Sequence, residues 1–397
     1  MDNHPHTTRD RNYLLLLMLV TCLALGAPGP AMALPAVTTA VTHEVGPDKA
    51  LKMPSEAARI ARDGDTVEIA AGLYPDDHAT WTQDSLTIRG VDGLAHLEST
   101  ALIPNGKAIW VIAGDDILIE NIEFSGARVK DTNGAGIRHE GGRLTLRNTF
   151  FHRNEFSILT GGGAGSTLAI EDSRFWHQRR PGSFSHGLYV GPLQRFTISG
   201  SHIMGTDRGH QIKTRALENH ILYNRIEDVR GGNSSRLIDF SNCGRSFVIG
   251  NDMHQAGSTQ NIDAIGYGAE GCEGRTPEQR QLFVLHNTFV NEAWGGALVR
   301  NHADGEVSVV NNLAFGQGRF LLGKGSKAGN VVVNLNRWQR GSWAPPPDSR
   351  AINGAVAVPV VDGEALVPLK IFIEPAGTAR RGIAGAPDVG SRESGVR

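Results

Sequence analysis

Between residues 209 and 226 the chain reads GHQIKTRALENHILYNRI, which sets His210, Lys213 and Arg215 within six positions of one another, ahead of an Asn-punctuated apolar run. An amine beside a guanidinium is a chemically useful pairing. The guanidinium disfavours the ammonium form, leaving a free amine that accepts a proton, and it also neutralises a nearby anion. Such a base needs a second group that returns the proton, and that group arrives only if the fold brings another strand alongside.

The flanking sequence indicates which fold that is. A polar residue, often Asn, followed by a short apolar strand recurs as ENIEF (120–124), RNTFF (147–151), EDSRF (171–175), GSHI (200–203), YNRI (223–226), GNDM (250–253), HNTFV (286–290) and NNLAF (311–315). Taken from the second letter of each, the spacings run from 23 to 36 residues, one repeat per solenoid coil. The 49 glycines and many β-branched residues exclude helical repeats, and each unit has room for two or three short strands between Gly/Asn turns. An all-β, right-handed parallel β-helix fits: each coil buries its inward side chains and pairs with the next coil about 4.8 Å away. The recurrent Asn residues are expected to form an internal ladder that satisfies turn backbone. Residues 34–344 are assigned to this domain. A short amphipathic helix from Met53 to Arg62 caps its entry, with Ala57, Ile60 and Ala61 toward the first coil. The Pro/Gly-rich segment 345–397 forms a tail packing on the last coils.

Stacking one inward aliphatic per coil aligns Ile137, Ile158, Leu188, Ile212, Ile238, Ile265 and Leu298. Neighbours on either side of an inward residue point outward in an extended strand. Tyr189, Lys213 and Asp239 then become neighbours on three consecutive coils, with Arg215 on the same outer face and Arg138 earlier in the column. His186 and His210 fall two residues before their references, where strict alternation turns them inward or into the turn. A phenol, an amine, a guanidinium and a carboxylate on one sheet face mark a candidate groove.

The N-terminus carries Arg9 and Arg11, an apolar run from Tyr13 to Leu25, and Ala31-Met32-Ala33, the pattern of a secretory signal peptide over residues 1–33. No later segment approaches the length of a membrane span. The formal net charge of −2 gives no basic footprint for nucleic acid. The expected product is a secreted or periplasmic monomer. Cys243 and Cys272, the two cysteines after residue 33, lie near corresponding turns of adjacent coils and are expected to pair in an oxidising compartment.

The repeats together with GDTVEIAAGLY (64–74) resemble the secreted parallel β-helix proteins of the pectate-lyase-like superfamily. Within that group, GHQIKTRALENHILYNRI is similar to the segment of the chondroitinase B and alginate lyase family in which a strand lysine, followed by an Asn-bearing strand, acts as base. The resemblance implies a polysaccharide lyase that cleaves a uronic-acid polymer by β-elimination, with an acidic polysaccharide as partner. Lys213 would be the base, Arg215 the carboxylate neutraliser and Tyr189 the proton donor. His186, His210, Arg138, Asp239 and Arg236 would bind substrate. Where that family carries an arginine one coil after the lysine, SSRLIDFSN holds Asp239, with Arg236 three residues earlier. Either Arg215 or Arg138 supplies that charge, or Asp239 does different chemistry with Lys213.

No cofactor is required by this reading. Glu270 and Glu273, in AEGCEG, offer hard oxygen ligands for Ca²⁺ as an option beside a plain solvated loop. A uronate C5-epimerase shares the proton abstraction. A glycoside hydrolase would need two suitably spaced carboxylates, for which Asp239 and the inward-predicted Asp263 are the nearest pair. A non-catalytic polysaccharide-binding or export-accessory β-helix would use the same cations to hold polymer.

Overall fold

The computed structural model describes residues 39–163, 165–178, 184–316, 318–383 and 385–395, and the segment 1–33, expected to be a signal peptide, lies outside them. Residues 40–397 form one compact unit. After a first strand at Thr42–Val45, the chain makes the one α-helix among the described residues, Pro54–Ile60. Pro54 presets the first turn, and the Glu56 carboxylate reaches back to accept from the Met53 amide at 3.0 Å, closing the helix start. Ala57, Ala58 and Ala61 are buried, whereas Ile60 is 51 % exposed, contrary to its expected inward face. The helix is shorter than Met53 to Arg62 because Ala61 already has extended backbone (φ −60°, ψ 151°), which turns the chain away.

Beyond this cap the chain winds as a solenoid in which each coil contributes short strands to parallel ladders. Two strand rows merge into one 21-stranded sheet, and a third row forms a separate 10-stranded sheet. Among the described residues, antiparallel pairing occurs only outside the coils, in two small hairpins of the C-terminal segment. The interior is built of like on like. Ile137, Ile158, Leu188, Ile212, Ile238, Ile265 and Val299 are each fully buried along the 10-stranded sheet. Trp110, Phe124, Phe151 and Phe175 meet in sequence at centroid distances of 5.1, 4.9 and 5.1 Å.

The polar ladder exists and is longer than the Asn residues alone. Thr149, Ser173, Ser201, Asn224, Asn251, Asn287, Asn312 and Asn330 lie on successive coils, and the backbone amide of each of the first seven donates to the side-chain oxygen of the next at 2.8–3.1 Å. The Asn side chains also donate to strand carbonyls, for instance Asn251 to Ile221 at 2.8 Å. The sequence repeat is one residue out of step with this ladder in its second and third units. Asn121, Asn148 and Asp172 occupy a left-handed turn position (φ 58°, 47° and 48°), which Asn and Asp tolerate. Thr149 and Ser173, the ladder residues, follow Asn148 and Asp172, whereas the apolar Ile122 follows Asn121, so the ladder begins one coil later.

The C-terminal segment lies against the 21-stranded sheet. Trp343, Ala351 and Val389 pack with Leu313, Phe315, Val331 and Val333. Ser391 donates to Asp252 at 2.6 Å and Arg392 pairs with the same carboxylate at 2.6 Å.

Candidate active site

The 10-stranded sheet carries the candidate groove on its outer face. Parallel register sets Leu159 beside Tyr189, Tyr189 beside Lys213, Lys213 beside Asp239, and Asp239 beside Gly266. The next outward residue is Arg300, because Ile265 pairs with Val299 and not with Leu298. The sequence alignment is therefore one residue off in that last coil, where Leu298 and Val299 are both buried and alternation alone does not choose between them.

The histidines depart from strict alternation in a way that enlarges the site. Each strand is entered through a corner at which two consecutive residues face inward: Gln211 with Ile212, and Leu237 with Ile238, all fully buried. Gln211 is held there by Thr206 Oγ1 at 2.6 Å. The extra inward residue flips the one before it outward, so His186, His210, Arg236 and Asp263 emerge on the groove side. Their neighbours show this. The His186 ring stacks on His210 with centroids 5.2 Å apart and lies 5.4 Å from the Tyr189 ring; His210 Nε2 lies 3.9 Å from Asp239 Oδ2.

Backbone fixes the protonation of these rings. The His210 amide donates to His186 Nδ1 at 3.0 Å, and the Arg236 amide donates to His210 Nδ1 at 3.1 Å. An acceptor Nδ1 leaves the neutral ring's proton on Nε2. Burial, then the neighbouring His210 and Lys213, push His186 down to about 3. Burial also carries His210 down to about 4, with Lys213 and Arg236 adding to it against the pull of Asp239. Both rings are thus neutral Nε2–H donors and not bases.

At the centre, Lys213 Nζ donates to Glu270 Oε1 at 2.7 Å and Arg215 Nη2 to Glu270 Oε2 at 2.5 Å. Arg215 Nη1 reaches the Tyr189 hydroxyl oxygen at 2.7 Å. One carboxylate therefore bridges the two cations of the opening motif. Burial raises the Glu270 carboxyl, but Lys213 and Arg215 outweigh it and hold it ionised below its ordinary value. Glu270 is a ligand of the cations here, so a Ca²⁺ role with Glu273 would require it to release both. Among the described residues, no group of three converging metal-ligating side chains includes either glutamate.

The loop that carries Glu270 is tied to the coil below. Cys243 and Cys272 form a disulfide with Cα atoms 5.4 Å apart. Asn242 Nδ2 donates to the Glu270 carbonyl at 3.2 Å, and Arg275 donates to the Arg215 carbonyl at 2.7 Å and the Asn242 carbonyl at 2.9 Å. Arg275 thus positions the backbone of Arg215, a role that no local sequence signal marks.

Asp239 and Arg236 form a pair of their own. Arg236 Nη1 donates to Asp239 Oδ1 at 2.8 Å and Ser241 Oγ to Oδ2 at 2.5 Å. Burial raises the Asp239 carboxyl, yet His210, Ser241 and Arg236 together bring it below its ordinary value. Gly266 makes room for the pair, since a Cβ there would come within 2.7 Å of Arg236 Nη1 and 2.8 Å of Asp239 Oδ1. Arg236 thus places a guanidinium one coil beyond Lys213 on the same face. Asp263, expected inward, instead pairs with Arg300. Each carboxylate of the would-be hydrolase pair is committed to an arginine. Arg138 is not brought into the cluster. It stands two rungs from Tyr189, about 9.6 Å along the stack, with Glu140 at 3.6 Å.

Residues 72–235 match the family model described as right handed beta helix region. The fold is similar to that of an alginate lyase from Paenibacillus sp. str. FPU-7, at a TM-score of 0.53 and 16 % identity over 72 % of this chain and 99 % of that one. It is also similar to pectate lyase Pel9A, at a TM-score of 0.58 and 15 % identity over 90 % of this chain and 97 % of the other. A search of curated proteins gives no match. At such identities the likeness establishes architecture: this chain has the right-handed parallel β-helix fold found in pectate and alginate lyases.

Proposed function

We propose that this right-handed β-helix is an exported polysaccharide lyase that cleaves a uronic-acid polymer by β-elimination. The observation that carries the reading is the Glu270 carboxylate held between Lys213 and Arg215, with the Tyr189 hydroxyl beside them. The protein's own carboxylate occupies a two-cation clamp of the kind a uronate carboxylate needs. Export is supported by the N-terminal pattern and by the disulfide.

In this mechanism the substrate carboxylate displaces Glu270 and pairs with Arg215, which leaves Lys213 unpaired beside the ring proton. Arg215 neutralises the carboxylate, which lowers the cost of the negative charge that develops when the adjacent ring proton is lost. Lys213, released from Glu270, first gives its ammonium proton to solvent beside the Arg215 guanidinium, and the neutral amine then accepts the ring proton. The electron pair then forms the ring double bond and expels the glycosidic oxygen, to which Tyr189 gives its hydroxyl proton. That proton is free to point into the groove because Arg215 occupies the phenol oxygen as a donor. His186 and His210 present Nε2–H groups for substrate oxygens, and Arg236 supplies positive charge on the next coil. The formal net charge of −2 offers no basic footprint for nucleic acid, and no helix among the described residues is long and apolar enough to cross a membrane.

Incubation with a panel of uronate and neutral polysaccharides tests the proposal by the ultraviolet absorbance of unsaturated ends. Absorbance should rise with a uronate polymer and with none of the neutral ones. Reducing ends appearing without that absorbance would identify a hydrolase, and binding without cleavage would identify a polymer-holding protein.

A further inference from the structure

On the 21-stranded sheet, away from the strand row of the groove, His96, Glu123 and His152 aim their ligand atoms at one point. His152 Nε2 lies 2.7 Å and His96 Nε2 3.6 Å from the same oxygen, Glu123 Oε1, and all three ligand atoms fall within 4.8 Å of one another. The residues belong to three successive coils: His96 pairs in register with Glu123, and His152 pairs with Ser125, two residues further on. Parallel rungs hold the three backbones at fixed spacing, so the convergence does not depend on a mobile loop.

We propose that His96, Glu123 and His152 form a binding site for a divalent transition metal, of which Zn²⁺ is the best fit. Two imidazoles and one carboxylate are borderline donors suited to Zn²⁺ and poor for Ca²⁺ or Mg²⁺. Metal–ligand bonds of about 2.0–2.2 Å in a tetrahedron set ligand atoms about 3.3 Å apart. The 2.7 and 3.6 Å separations from Glu123 Oε1 bracket that value, and all three ligand atoms lie within 4.8 Å of one another, so side-chain adjustment on fixed backbones admits the ion. The side chains of His96, Glu123 and His152 are 22, 19 and 15 % exposed, enough for entry and low enough to limit competition from water. Ser125 Oγ hydrogen-bonds His96 Nε2 at 2.8 Å, a bond that coordination through this nitrogen would replace.

The neighbours define what binding must change. Arg153 Nε donates to His152 Nδ1 at 3.2 Å, a bond that fits only the tautomer with its proton on Nε2. Coordination through Nε2 moves that proton to Nδ1 and turns Arg153 away; its side chain is 64 % exposed and already reaches Glu98 at 3.4 Å. Arg174, its guanidinium 4.2 Å from the Phe150 ring centroid, is a second cation acting on Glu123. Both arginines oppose a dication, so removal of Arg153 should tighten binding. The bound ion would tie three coils together at the N-terminal end of the solenoid.

Chelator-treated protein titrated with Zn²⁺ by calorimetry, and with Co²⁺ by visible absorbance, tests the site. The expected result is one ion per chain, d–d absorbance of a low-coordinate Co²⁺ centre, and a Zn²⁺-dependent rise in melting temperature. His96→Ala and His152→Ala should each weaken binding at least about tenfold. Glu123→Gln, which keeps an acceptor for His152 in the same shape, should fold and lose the Zn²⁺-induced shift. Arg153→Ala should bind as tightly as the parent or more so. Absence of stoichiometric binding, or equal binding by the His96→Ala/His152→Ala double variant, would overturn the assignment.

Discussion

Arg215 Nη1 donates to the hydroxyl oxygen of Tyr189 at 2.7 Å, while the same guanidinium holds Glu270. The phenol oxygen is thereby engaged as an acceptor, which leaves its own proton available to donate elsewhere. Tyr189→Phe keeps the ring and its packing against His186 and Phe156 but removes the proton donor. It should lower kcat by about 10²- to 10⁴-fold with little change in KM. A kcat within a fewfold of the parent would remove Tyr189 from the mechanism.

Glu270 competes with substrate for its own cations. Glu270→Gln should lower KM for an oligouronate by roughly two- to fivefold, the range expected from losing a half-exposed ion pair. Steady-state kinetics over a range of substrate concentration measure this. A higher KM, or a collapse of kcat, would show that Glu270 helps the reaction.

Buried neutral histidines make stability depend on acid. His186 titrates at about 3 and His210 at about 4 in the folded chain, against 6.5 for the free side chain. Between these limits the unfolded chain binds protons that the folded chain refuses, so stability is complete above about 6.5 and falls as pH falls through the window. Urea midpoints at about pH 7 and about pH 5 should drop more for the parent than for a His186→Gln/His210→Gln variant. Equal drops would assign the acid sensitivity to other groups.

Asn251 accepts from Asn224 and donates to Asn287 inside the coil. Asn251→Ala leaves buried partners unsatisfied on both sides, at about 1–3 kcal/mol for each orphaned group. Thermal unfolding should show a loss of that order, whereas Asn242→Ala, at the margin of the Glu270 loop, should cost far less. A neutral Asn251→Ala would mean the ladder contributes nothing to stability.

The coils were legible in the sequence because one apolar period and one polar turn position repeat, and because parallel pairing makes like residues neighbours. That reasoning is enough to place Tyr189, Lys213 and Asp239 side by side. It fails where a residue's direction is set by something other than alternation. The double inward step at Gln211–Ile212 and Leu237–Ile238 turned His210 and Arg236 outward, and nothing in the local pattern distinguishes a corner from a strand. A similar ambiguity between Leu298 and Val299 hid Arg300. The Glu270 bridge lies more than fifty residues from its cations in sequence, so only the loop path reveals it; the neighbouring Cys272 was the available hint that this loop is pinned beside Lys213. The repeat does not single out His96, Glu123 and His152, because His96 and Glu123 share one register position while His152 stands two residues further along its strand.

The central claim is that Lys213, on an outward strand position, removes a proton from a uronate held by Arg215. Mass analysis of end groups from an oligouronate, with parent protein and with Lys213→Ala, tests it most directly. The parent should give non-reducing ends lighter by one water than a hydrolysis product. Lys213→Ala should fold with an unchanged melting temperature and make those ends about 10²- to 10⁴-fold more slowly. Hydrated ends from the parent, or undiminished turnover in Lys213→Ala, would contradict the account.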